Sequence, residues 1–202
     1  HVSIALEEKS STELEAGLAS RHLDFAVMHS FANSTQQEKS SIAFYPISRS
    51  PFVLAAPVGS GLDRYACPDP ESPYPVLDLA HVKDWPFVLV SPGRRIRQIS
   101  DHILWQAREA GITPQVVLTT VSYETAHRLA CQGLGLTFIP LQYKEIFQGP
   151  YPGEYYSIDA ACSPYWDLCV AVARDSYIST AAQVFIHLLN DYFGNRMEWP
   201  GQ

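Results

Sequence analysis

The sequence predicts an α/β protein with a largely parallel sheet, and three observations carry that expectation. Short apolar runs of strand length alternate with longer segments whose apolar residues recur at helical spacing. Ser or Thr stands at the start of several of those helical segments, and glycine follows their ends. With 47% hydrophobic and 17% charged residues over 202 positions, the chain has enough apolar surface to bury a core and is not a disordered polymer.

In chain order, Val2 to Leu6 alternates small and branched apolar residues and reads as a strand. Ser10-Ser11-Thr12-Glu13 then places a Ser three positions before a Glu, the capping-box pattern that opens a helix, with Leu14 and Leu18 on one face. Leu23 to Met28 is a short apolar run expected to be covered on both sides. Asn33 to Ser41 is polar and reads as a loop. Ile42 to Tyr45 and Phe52 to Ala56 are strand-like, but Pro46 and Pro51 remove ladder donors, so two pieces with a bend are expected rather than one strand.

Four prolines between Cys67 and Pro75 mark a surface loop. Phe87 to Val90 is a buried strand leading, through Ser91-Pro92-Gly93, into a helix with Ile96, Ile99, Ile103, Ala107 and Ala110 inward and Gly111 beyond its end. Gln115 to Thr119 is β-branched. Ser122 caps a helix carrying Ala126, Leu129 and Ala130, Gly133 ends it, and Leu136 to Pro140 is the next strand. Tyr165 to Ala173 is a late strand. Ser179 caps a last amphipathic helix with Ala182, Phe185, Leu189 and Phe193 inward and Gly194 at its end.

Charge excludes one class of function. Fourteen Lys and Arg stand against 21 Asp and Glu, a formal net charge of -7, the wrong sign for a surface that grips a phosphate backbone by itself. No apolar run reaches the length of a membrane span, and the N-terminus lacks the basic and apolar regions of a signal peptide. A cytoplasmic protein without a membrane partner is therefore expected. Cys67, Cys131, Cys162 and Cys169 show no metal or redox spacing and read as reduced thiols.

Catalytic signatures are also lacking. Gly133-Leu134-Gly135 resembles the start of a dinucleotide fingerprint, but it follows a helix and precedes a strand, the reverse of the required order. A helix cap and tight turn explain it. The seven His residues have no metal-ligand spacing, and Asp101 and Glu109 on one helix lie about 12 Å apart by helical rise, too far for a carboxylate dyad. No catalytic residue, metal or cofactor is assigned, and the chain is not expected to be an enzyme.

The concentrated polar signal is Ser91-Pro92-Gly93-Arg94-Arg95-Ile96-Arg97-Gln98, directly after a buried strand at a helix start. Ligands of open α/β sheets gather at the carboxyl ends of strands, where helix N-termini offer free N–H groups and partial positive charge. A small anion would be favoured there. Read singly, each of these arginines is equally a solvated surface charge; the cluster is what stands out.

Along its whole length the chain resembles the effector-binding domain of LysR-type transcriptional regulators. The resemblance rests on Ser10 to Leu14 through Leu23-Asp24-Phe25-Ala26-Val27, on Phe87 to Ile99, and on Glu124-Thr125-Ala126 through Cys131-Gln132-Gly133-Leu134-Gly135-Leu136-Thr137-Phe138-Ile139-Pro140. It implies a type II periplasmic-binding-protein fold: two α/β lobes joined by crossing strands, with an effector in the cleft between them. The implied lobes are 1–47 with 160–202, and 48–159, with the first strand and helix of the first lobe absent. By position it implies Ser11, Ser91, Pro92, Arg94, Ile96, Arg97, Gln98 and Ser122 as effector-binding residues. It further implies a homodimer or higher homo-oligomer and a DNA-binding helix-turn-helix outside this chain. A solute-binding protein of a transport system shares the fold and is one alternative. An enzyme on the same scaffold is another, for which Lys9 is the lysine near the presumed mouth.

Overall fold

The computed structural model describes residues 2–30, 41–90, 113–146, 151–158 and 165–194. The chain divides into two compact units: His1–Ser50 with Trp166–Gln202, and Pro51–Tyr165.

In the first unit, helix α1 (Ser11–Ala19) begins as its sequence dictates. Ser10 Oγ accepts from the Glu13 N–H at 3.4 Å, and Glu13 Oε2 accepts from the Ser10 N–H at 3.0 Å, so each satisfies an otherwise orphaned donor. At Gly17 a Cβ would lie 2.8 Å from Leu23 Cδ1, so a larger residue would make the Leu23 side chain shift. Strands β1 (Ala26–Ser30) and β8 (Tyr165–Ala173) pair antiparallel, Ala26 opposite Ala171 and Ser30 opposite Asp167, and the first part of β2 (Ile42–Pro57) lies beside β8.

Side chains alternate across this sheet, so it builds two cores. Ala43, Ile47, Val170 and Val172 face Ile186 of helix α4 (Thr180–Tyr192), whereas Ala26, Met28, Ile42 and Ala171 face Leu18 of α1.

Four readings change in this region. Val2 to Leu6 forms no strand; Val2, Ile4 and Leu6 are 69%, 69% and 85% exposed, because a strand needs a neighbour to take its N–H and C=O groups. The run from Leu23 to Met28 yields a strand only from Ala26, and it is not covered on both sides: Val27 is 39% exposed. β2 is continuous over sixteen residues despite Pro46 and Pro51. Pro46 is exposed, and Pro51 precedes the ladder that β2 makes with residues 137–140 from Phe52 onward, so it costs that ladder no donor. In α4 the buried line is Ala182, Ile186 and Asn190, and Phe185 lies on its exposed flank.

In the second unit, β4 (Pro86–Val90) and β5 (Gln115–Thr120) are parallel, and β4 joins β6 (Thr137–Pro140) through a parallel bridge between Phe87 and Leu136. The last part of β2 runs antiparallel between β6 and β7 (Gly153–Ile158), and β3 (Val76–Leu77) pairs parallel with β7. Among the described residues, five strands thus share one direction and β2 alone opposes them. Phe52 to Ala56, Phe87 to Val90 and Leu136 to Ile139 are buried without a break, as expected of strands covered on both faces.

Helix α2 (Tyr123–Cys131) packs Ala126 and Ala130 inward, and α3 (Leu141–Ile146) follows β6 directly. Gly133, with φ +89°, ends α2, and at Gly135 a Cβ would stand 2.6 Å from the Pro86 carbonyl oxygen. The Gly-Leu-Gly run therefore serves a helix cap and a close backbone approach. Among the described residues no helix is long and apolar enough to cross a membrane.

Candidate functional site

Two of the sequence-derived site residues fall on described helix starts. Ser11 is the first helical residue of α1, and the capping hydroxyl belongs to Ser10. Ser11 is half-buried, and among the described residues its own hydroxyl has no hydrogen-bond partner, so it can donate to a ligand. This helix end already has an anion, since Glu13 accepts from Ser10. An added anion there would face that carboxylate as well as the free N–H groups.

Ser122 caps α2 in the second unit. Its Oγ accepts from the Thr125 N–H at 3.3 Å, and its N–H donates to Thr120 Oγ1 at 3.3 Å. The hydroxyl proton is not used by the cap. Ser91, Pro92, Arg94, Ile96, Arg97 and Gln98, together with the helix expected up to Gly111, lie outside the described residues.

Near α1, Lys9 pairs with Glu7 at 2.7 Å, and His22 meets the same carboxylate at 3.2 Å. The hydrogen bond from Lys9, then that from His22, pulls the Glu7 carboxyl down, while the bond to Glu7 pushes Lys9 up. Lys9 is thus held as an ammonium. A nucleophilic lysine needs the opposite surroundings, burial or a neighbouring cation.

Sequence reasoning missed a polar cluster formed by the end of β1, the middle of β2 and the start of β8, all within the first unit. His29 stacks on Trp166 with ring centroids 3.7 Å apart and planes at 17°, and burial pulls the His29 imidazole down to about 4. Arg49 holds buried Asp167 with two hydrogen bonds, Nε to Oδ1 at 2.7 Å and Nη2 to Oδ2 at 3.1 Å. Ser30 and Ser50 are buried nearby in sequence. The partners come from chain segments more than a hundred positions apart, so no local motif announces them. Neutral at pH 7, His29 offers a hydrogen bond or a stacking face rather than a positive charge.

In the second unit, His127 Nε2 lies 2.7 Å from Tyr155 Oη, and Lys144 Nζ sits over the Tyr155 ring at 4.7 Å. Burial pushes the Cys131 thiol and the Tyr155 phenol up, so both stay protonated at neutral pH. A protonated thiol is a weak nucleophile, and this group binds α2 to β7 and α3 instead. Cys67, Cys131 and Cys169 are free thiols, and among the described residues no group of His, Cys, Asp and Glu could hold a metal ion.

An uncharacterized HTH-type transcriptional regulator of Bacillus subtilis strain 168, YcgK, is 28% identical over 198 residues, covering 93% of this chain and 57% of that protein. The chain thus spans little more than half of that relative. The C-terminal domain of a probable LysR family transcriptional regulator from Rhodococcus sp. RHA1 superposes with a TM-score of 0.70 at 21% identity, covering 93% of this chain and 83% of that one. The effector-binding domain of QuiR, solved in complex with shikimate, gives 0.66 at 17%, covering 94% and 81%. These structural matches establish a fold of the periplasmic-binding-protein type. Residues 1–194 match the LysR substrate binding domain, and the chain belongs to that family.

Proposed function

We propose that the chain is the sensing domain of a LysR-type transcriptional regulator that binds a small anionic metabolite between its two lobes. Binding changes how a helix-turn-helix outside this chain holds DNA. The observation that carries the reading is the family match across both compact units, residues 1–194. The curated relative is named an HTH-type regulator, which favours this reading over a transport receptor. The solved domain with shikimate, an organic acid anion, supports the ligand class.

In this proposal Ser11 and Ser122 supply hydroxyls from the helix starts. Arg94 and Arg97 pair with the anion, with Ser91, Pro92, Ile96 and Gln98 beside them. The protein acts as a cytoplasmic homodimer or higher homo-oligomer and is not an enzyme. The effector must favour one arrangement of lobes or subunits over another, because equal affinity for both shifts nothing.

The test is calorimetric titration of the full-length regulator with a panel of small carboxylates and phosphates, followed by DNA binding with and without the hit. Arg94→Ala or Arg97→Ala is expected to weaken effector binding by roughly 1.5 to 3 kcal/mol without altering the melting temperature. Unchanged affinity in both variants would sink the anionic reading, and a hit that leaves DNA binding unmoved would sink the regulatory one.

A further inference from the structure

Strand β2 serves both compact units, with Ile42 to Ser50 in the first and Pro51 to Pro57 in the second, and the chain passes between the units again at Tyr165 and Trp166, the opening residues of β8. The chain therefore crosses at two points. The ion pair of Arg49 with Asp167 joins the residues that flank both of them.

Two features make the first unit's side of the crossings rigid. β8 lies between β1 and β2, and Asp167 stands opposite Ser30, the last residue of β1, while its side chain takes both Arg49 bonds. The three strands described in this unit are thereby joined at one level. The bonds run from Nε and Nη2 of one planar fork, so they fix the orientation of the guanidinium as well as its distance. The side chain of Asp167 is 4% exposed and that of Arg49 58%, so opening the pair would leave a buried carboxylate uncompensated. That cost keeps the pair closed.

The second unit's side is built to yield. There β2 exchanges β8 for β6 and β7 as neighbours, with ladders that begin at Phe52 and Val53. Pro51 stands at the exchange and brings no N–H to either ladder.

We propose that Arg49 and Asp167 clamp the two crossings together and so place the hinge of lobe movement beyond them, at Pro51 and at Tyr165. The first unit then turns as one body up to Ser50 and Trp166. Without the clamp the two crossings bend independently, and the lobes take a wider range of orientations. Arg49 is in this sense a positioning residue: it acts through Asp167, and no contact with an effector is asked of it. The inference rests on the two-lobed sensing reading for the use of the motion, but its test needs no effector, so either can fail without the other.

The experiment uses the full-length regulator without effector, carrying spin labels on non-canonical residues at Val58 in the second unit and Tyr177 in the first, both exposed. Labelled chains are diluted into unlabelled ones, so that distances within one chain are read. Arg49→Gln is expected to widen the distance distribution roughly twofold, and Arg49→Lys, which keeps the charge without the fork, to widen it by less. Ser10→Ala, which weakens the same unit at a helix cap, is expected to leave the width unchanged. If Arg49→Gln fails to fold, Arg49→Met combined with Asp167→Leu removes the buried charge together with its partner and is expected to widen the distribution as much. An unchanged width in Arg49→Gln, or in the paired variant where that is the one that folds, overturns the proposal. Equal widening by Ser10→Ala also overturns it, because the effect would then belong to a loosened unit rather than to the hinge.

Discussion

The two units use the same elements to different depth. The second builds its core from strands that are apolar over their whole length, Phe52 to Ala56 beside Leu136 to Ile139, so every residue of a strand meets a covered face. Among the described residues the first has three strands and two smaller cores, one under α1 and one under α4, and β1, paired there with β8, alternates buried with exposed. Burial on both faces makes structure insensitive to register, whereas a single outer strand depends on whatever covers it. The first unit should therefore be the first to open.

Core truncations test that difference most strongly. Phe52→Ala or Phe87→Ala in the second unit should cost about 3 to 5 kcal/mol by denaturant unfolding, because both rings are fully enclosed. Leu18→Ala in the first unit should lie towards the low end of about 2 to 5 kcal/mol, since α1 is short and can collapse onto β1. Equal costs would remove the contrast. Gly135→Ala should cost about 1 to 3 kcal/mol, because its Cβ meets the backbone oxygen of Pro86 rather than a side chain that could move.

Acid should separate the units as well. Burial holds the His29 imidazole near 4 in the folded protein, below its value of 6.5 in the unfolded chain, so the unfolded state binds the proton first. Stability is full above 6.5 and falls as pH drops towards 4, where the loss from this group is complete. His29→Gln should flatten the unfolding free energy across that window, and an unchanged slope would refute the assignment. His127 is also pulled down, chiefly by burial and then by Lys144 and Arg128, so His127→Gln provides the matching measurement in the second unit. The smallest effects belong to the caps. Ser10→Ala and Ser122→Ala should each cost about 1 kcal/mol, with Ser122→Ala also weakening effector binding if its hydroxyl donates to the ligand.

Legibility followed the same division. The strands Phe87 to Val90, Leu136 to Pro140 and Tyr165 to Ala173 were readable because continuous apolar runs bounded by turns leave little choice, and Ser10, Ser122 and Ser179 were readable as caps because their bonds are local. Val2 to Leu6 misled because an alternating pattern states what a strand needs without supplying the neighbour. Pro46 and Pro51 misled because a missing donor matters only where a partner would have accepted it. Of the candidate site, Ser11 and Ser122 were named by position from the family resemblance, and the helix starts they occupy were readable from the caps at Ser10 and Ser122. His29 with Trp166 and Arg49 with Asp167 were not, since nothing within a few positions of either partner refers to the other.

By itself the sequence determined the alternation of strands and helices, the helix starts, the glycine turn at Gly133 to Gly135 and the family. These depend on side-chain period, on hydrogen bonds spanning three or four residues and on backbone sterics, all of which are local. Tertiary structure alone decided that β2 runs unbroken through two prolines and that, among the described residues, it opposes five strands of common direction while β1 pairs with β8 alone. It also decided that half-buried His29 stacks on Trp166 and that Asp167 is held by Arg49. These outcomes depend on which distant segments become neighbours, and that is set by the packing of whole elements around a core rather than by the residues adjoining each one.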